Sequence, residues 1–284
     1  MRDLLARTAN AAVLVFAVTS MISVGLTHSA REILGPLRDL WALLRALLAN
    51  FVLVPLLALA IVRIWSLDRS LEAGLILVGM SAGAPFLIKL AEAAQTEVAL
   101  GATLLVLLLP VTVVYAPIVV PWVLPEAEVS AGSLAMPLFL AMLLPLAVAL
   151  LARSYWPATR RLGPIARWAT TFGLVMIVLT TTLGNLPALV TLLAEGVIVP
   201  AFLLVAGAFV IGCLLGGRDR ITRIVLGLGT SQRNIAAATV MATQGLADKD
   251  TVVMVVVTSL TGFALLFPVA ALLRKVSPTS APSS

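Results

Sequence analysis

Apolar residues run for about 20 positions at a time along this chain, and charged residues separate one run from the next. Read between that punctuation, the pattern predicts nine helical spans at about 9–27, 41–64, 71–94, 97–123, 133–152, 165–188, 192–215, 221–245 and 250–273. Seven are uninterrupted. The third contains "GMSAGAPFLIKLAEA" and the eighth "GLGTSQRNIAAA", each a Gly- or Pro-rich break followed by polar or cationic side chains. Lipid offers the backbone no hydrogen bonds, so a broken helix at membrane depth persists only where protein or a wet cavity surrounds it. Both breaks are therefore expected to face inward.

Composition agrees with this pattern. Hydrophobic residues make up 61% and charged residues 11% of 284 positions, against roughly 25% charged in an ordinary soluble domain, and the mean hydropathy is +1.12. The expected fold class is an all-α polytopic membrane protein forming a single transmembrane unit over 1–284, with the lipid bilayer as its surroundings. Cys213 and His28 each stand alone, which excludes an internal disulfide, a zinc cluster and an iron–sulfur site. The net charge of +6 reports membrane orientation rather than nucleic-acid binding, because loop arginines set topology.

The N-terminal segment has Arg2 and Arg7 ahead of an apolar core and no clean small-x-small cleavage site after it, so it reads as a retained span. Arg31, Arg38, Arg45, Lys89, Arg153, Arg160, Arg161, Arg167, Arg218, Arg220, Arg223, Arg274 and Lys275 fall on one side of the nine-span arrangement. Arg2, Arg7, Arg63, Arg69 and Lys249 fall on the other. The richer side is expected in the cytoplasm, with the N-terminus outside and the C-terminus inside.

An interrupted span, a charged turn and a long unbroken span occur at 71–123 and again at 221–273. Three spans lie between the copies, so the second enters the membrane from the opposite face. Inverted repeats with paired broken helices are a signature of secondary transporters, whose substrate sits near the midplane where the breaks cross.

On a regular helix, Ser231, Gln232, Arg233 and Asn234 point about 100° apart and share no face. A break at Gly227 and Gly229 is the expected resolution, letting these neighbours converge on one cavity. Small polar residues also hold membrane helices together, which is the expectation for Thr239 and Thr243. Arg233 differs, because a mid-span arginine costs about 2.5–3.5 kcal/mol even on insertion scales and requires a partner or a wet site. The candidate substrate-binding residues are accordingly Thr230, Ser231, Gln232, Arg233 and Asn234 on the eighth span, with Pro85 and Lys89 on the third. Lys89 has a second reading, snorkelling to the headgroups or pairing with Glu92 at i, i+3. None of the 13 carboxylates lies at the centre of a span, which argues against a proton carrier built on a buried acid. No nucleophile–base arrangement is present either, so the chain is not expected to be an enzyme.

At these residues the sequence resembles the bile acid:sodium symporter family over nearly its whole length. "MISVGLT" (21–27) is similar to the family's "MGLTL" at the end of an early helix, and "ANFVLVPLLALAI" (49–61) to its next, Pro-interrupted helix. "SAGAPFLIKLAEAAQTEVAL" (81–100) and "GTSQRNIAAA" (229–238) are similar to its two crossing helices. The resemblance implies a ten-helix inverted repeat divided into a panel and a core, here without the first helix. It also implies that Asn50 matches a sodium-site amide and that Gln232 with Asn234 matches the amide cluster of the second crossing helix. Asn50 and Gln232 would then be remnants of an ion site. The family's sodium-binding glutamate falls near Gly227 or Leu228, its Ser-Asn pair near Leu87 and Ile88, and further hydroxyls at Leu105 and Leu109. Hard cations require several oxygen ligands, and these positions have none.

The resulting expectation is a secondary transporter of a small organic anion working by alternating access, with core 71–123 and 221–273 and panel 9–64 and 133–215. It has no cofactor and no metal, its sodium sites are lost, and Lys89 and Arg233 stand in for the bound ions. Arg233 is also suited to bidentate carboxylate binding. The alternatives are a cation/proton exchanger with Lys89 as the titrating group and a membrane binding protein without transport. The short chain suits a bacterial inner membrane.

Overall fold

The structure, a computed structural model, describes residues 2–27, 40–125, 130–184, 196–246 and 249–276, with no strand among them. His28, the lone histidine, and Arg31 and Arg38, which entered the reading of orientation, lie outside the described residues. The helices are α1 (Arg2–Thr27), α2 (Leu40–Ile64), α3 (Arg69–Met80), α4 (Leu87–Ala93), α5 (Val98–Val123) and α6 (Ala131–Tyr155), followed by α7 (Gly163–Gly184), α8 (Ile198–Leu215), α9 (Arg220–Ser231), α10 (Ile235–Val240) and α11 (Lys249–Val276). Among the described residues, helix occupies each of the nine expected spans, the third by α3 and α4 and the eighth by α9 and α10. Trp41, Trp122, Trp156 and Trp168 stand exposed near helix ends, the positions that interfacial tryptophans favour.

Local sequence explains the irregular turns. Wide π turns at Ala49–Leu53 in α2 and Phe139–Leu143 in α6 directly precede Pro55 and Pro145. Proline lacks an N–H and its ring collides with the carbonyl four residues back, so the preceding turn opens. In the third span α3 stops at Met80 and the chain passes through Ser81–Ala84 before Pro85. Gly83 adopts a φ of +76°, and a Cβ there would lie 2.7 Å from the Leu109 backbone nitrogen. Glycine permits both the conformation and the close approach to α5.

The second break differs from its expected place. Gly227 and Gly229 lie inside α9, and the chain leaves the helix at Gln232–Asn234. The glycines serve close packing instead, Gly227 against Cys213 and Phe209 of α8, Gly229 against Leu87 and Leu104. Asn234 starts α10, its Oδ1 accepting from the Ala237 N–H at 3.1 Å, the usual side-chain satisfaction of an orphan helix donor.

The two breaks touch directly: the Asn234 N–H donates to the Ser81 carbonyl at 2.9 Å, and Asn234 Nδ2 donates to the Gly83 carbonyl at 2.9 Å. Around this crossing the repeats exchange partners. The half-helix α3 packs on α11, Gly74 facing Met254 and Thr251 donating to the Ser70 carbonyl. Its counterpart α9 packs on α5 through Gly229 and Leu104.

The expected assignment of 41–64 and 192–215 to the panel differs from the contacts observed. Helix α2 meets α3 where Gly79 faces Ala58 and meets α8 where Gly207 faces Leu57, while Gly212 of α8 lies against the Leu226 backbone of α9. Both helices belong with the broken pair. A second group forms from α1, α6 and α7, with Gly25 against Ala149 and Gly173 against Phe16. Small residues at these crossings let backbones approach closely, which is how helices associate where lipid and protein are equally apolar.

Candidate functional site

Arg233 lies at the crossing, 4% exposed. Its Nε donates to the Val78 carbonyl at 3.1 Å and Nη2 to the Gly79 carbonyl at 2.5 Å. Nη1 donates to Asn50 Oδ1 at 2.7 Å and to the Thr230 carbonyl at 3.1 Å. Three of the four acceptors are carbonyls in the last turn of a half-helix, Val78 and Gly79 in α3 and Thr230 in α9. These ends carry the negative pole of the helix dipole and present carbonyls beyond the regular helix ladder, the Val78 oxygen also accepting from the Ser81 N–H at 3.0 Å. One guanidinium thus satisfies the carboxyl ends of both broken helices.

The π turn of α2 places the fourth acceptor. It presents buried Asn50, whose Nδ2 donates to Ala46 at 2.9 Å and to Thr230 Oγ1 at 3.3 Å, leaving Oδ1 for Arg233. The four acceptors take up four of the five guanidinium N–H groups, so the expected bidentate grip on a carboxylate does not fit the arginine as it stands. Ser231 donates to carbonyls of its own helix. Gln232 lines a small cavity of about 10 Å³ with Ser231, Thr258 and Ser259. Thr239 and Thr243 donate to carbonyls four residues back.

Lys89 and Pro85 are not brought to Arg233. They line a different cavity, of about 70 Å³, between α4 on one side and α1 and α7 on the other. There Lys89 Nζ donates to Thr171 Oγ1 of α7 at 2.9 Å and stands 5.7 Å from the centre of the Phe86 ring. Phe86 is in turn held against Phe263 and Phe267 of α11. Lys89 thus reaches across to α7, and Glu92, its expected i, i+3 partner, lines the same cavity.

Several lining residues were not foreseen. Ser20, Ser23, Val24 and Thr27 of α1 follow the i, i+3, i+4, i+7 spacing of one helix face, a signal present in the sequence and obscured by its apolar setting. Arg167 passed for a loop charge, yet it lies within α7 and lines the cavity with Thr170. The expected sodium-ligand positions are apolar and packed, with Leu87, Leu105 and Leu109 at most 1% exposed.

Five of the described helices are long and apolar enough to cross a membrane, and with the crossed broken pair they make an all-α polytopic membrane protein. The Sodium Bile acid symporter family matches residues 13–192, more than half of the chain, and the chain belongs to that family. Its members are transporters rather than enzymes and in general couple the movement of organic anions to sodium. Comparison with curated proteins gives no match. The matched range ends before the second crossing helix, where Arg233 lies.

Proposed function

We propose that this chain carries a small organic anion across the membrane by alternating access and does so without sodium, Arg233 acting as a permanently bound cation. The observation supporting this reading is the placement of the guanidinium: it bonds the carbonyl ends of α3 and α9 and the Asn50 amide. A mobile sodium would compete for the same oxygens, and a tethered cation is always present. Its charge also stays inside the core, where a fixed positive potential favours an anion nearby.

The cavity between α4 and the α1–α7 pair is the proposed substrate site. It lies between the two helix groups that would move relative to one another, and it holds Lys89 and Arg167. The loop arginines support an N-terminus outside and a C-terminus in the cytoplasm of a bacterial inner membrane, with this cavity opening on the cytoplasmic side.

Uptake of labelled organic anions into proteoliposomes, with sodium or choline as the only external cation, tests the proposal. Equal uptake in both is expected. Uptake that needs sodium overturns the tethered-cation mechanism, and uptake that needs a proton gradient favours an exchanger titrating at Lys89.

A further inference from the structure

The cavity is lined by three charged side chains, Lys89, Glu92 and Arg167. Helices α1 and α7 run antiparallel, Phe16 meeting Gly173 and Thr27 meeting Gly163, so Ser20 lies level with Thr170. Thr171, which holds Lys89, is the next residue of α7. Arg167 lies one turn before Thr171, roughly 6 Å at the helical rise, and Glu92 one turn after Lys89 in α4, about 4.5 Å along its axis. Arg167 and Glu92 thus line the cavity from opposite helix groups, and Lys89 shares it with the hydroxyls of Ser20, Ser23, Thr27 and Thr170.

Two of those hydroxyls are buried without a partner, Ser20 Oγ and Thr27 Oγ1, and Ser20 is only 1% exposed. A buried hydroxyl normally finds a hydrogen bond. Ser20 Oγ, in a cavity that also holds a lysine, is poised for an oxygen supplied from outside the chain. Ser20 and Lys89 line opposite walls of that space, a hydroxyl and a cation of the kind a carboxylate takes. The carboxylate of Glu92 offsets the guanidinium of Arg167, leaving the charged lining residues one net positive charge rather than two.

We propose that Glu92 sets the charge of the cargo: it cancels Arg167, so that the cavity admits organic monoanions and rejects dianions. This rests on the reading of the cavity as the substrate site. A second negative group on the ligand would share the cavity with Glu92, and like charges repel. Without Glu92, Arg167 becomes a seat for that second group.

The test uses the full chain in proteoliposomes and, for binding, in detergent micelles. The probes are lactate and glycerate as monoanions, malonate and malate as dianions. Uptake and ligand-induced thermal shift are recorded for wild type, Glu92→Gln and the double variant Glu92→Gln with Arg167→Gln. Wild type is expected to favour the monoanions, Glu92→Gln to move the ratio toward the dianions by about tenfold, and the double variant, again with one net positive charge, to restore the wild-type preference. A ratio unmoved by Glu92→Gln while the anions are still transported overturns the role of Glu92 and leaves the transporter reading standing. If none of the four probes is bound or carried by any variant, the small-anion reading of the cavity falls, and the role of Glu92 falls with it.

Discussion

Replacing Arg233 with alanine removes the guanidinium from between the two breaks and leaves four oxygens facing the vacated space. They are the Val78, Gly79 and Thr230 carbonyls and Asn50 Oδ1, which accept in the native protein at 3.1, 2.5, 3.1 and 2.7 Å. Hydrogen bonds to a charged group contribute about 1.5–3 kcal/mol each, so four of them amount to roughly 6–12 kcal/mol. The variant no longer has to desolvate a buried charge, which returns several kcal/mol. The net loss is then about 2–5 kcal/mol, and at about 2–4 °C per kcal/mol the melting temperature falls by about 4–20 °C. The same four oxygens suit a hard monovalent cation, so on the proposed mechanism the variant is expected to gain stabilisation by sodium. A weak site with a Kd of about 10 mM, held at about 100 mM sodium, adds about 1.4 kcal/mol, or about 3–6 °C. Thermal unfolding in sodium against choline chloride at equal ionic strength reads this directly. The expected result is a sodium-dependent rise in Arg233→Ala and none in wild type. A variant indifferent to sodium, or a wild type stabilised as much as the variant, refutes the idea that the guanidinium stands on a cation site.

Gly83→Ala forces a side chain into a left-handed backbone at +76° and against the Leu109 nitrogen of α5. It is expected to cost at least about 1–2 kcal/mol and to lower the melting temperature by several degrees; an unchanged melting temperature would mean that the first break is shaped differently. Asp219 caps α9, one carboxylate oxygen accepting from both the Thr222 N–H and the Thr222 hydroxyl at 2.7 Å. The Thr222 hydroxyl first, and then the backbone N–H groups, hold its carboxyl below the usual aspartate range. The cap is therefore fully effective above the ordinary pKa of about 3.9 and is lost as pH falls through the lowered value. Asp219→Ala should lose about 0.5–2 kcal/mol at neutral pH, with the gap in melting temperature from wild type closing below about pH 4; a gap constant down to pH 3 would exclude the ionised carboxylate as the cap.

Much of this architecture follows from the order of apolar and polar residues alone. Length and hydropathy determine the spans, because a bilayer demands about 20 apolar residues for each crossing. Gly and Pro in mid-span determine that two helices break, and an arginine in such a place determines that a buried polar site exists, since lipid offers neither groups nor charge a partner. The break in the eighth span nonetheless moved from the glycines to Gln232–Asn234. There the Asn234 side chain and the Ser81 carbonyl supply the hydrogen bonds that an unwound backbone needs, and sequence spacing carries no trace of a partner some 150 residues away.

Tertiary structure alone decided which helices stand together and what Arg233 binds. Helices α2 and α8 read like any other apolar span, and lipid and protein neighbours are equally apolar, so hydropathy assigns no partner. The acceptors on Arg233 are mostly backbone carbonyls, which every residue has. Only the crossing of α3 and α9 makes those carbonyls a cation seat. Lys89 and Arg167 lie 78 positions apart in the sequence, and only the tertiary placement of α4 across the cavity from α7 brings both charges to one space.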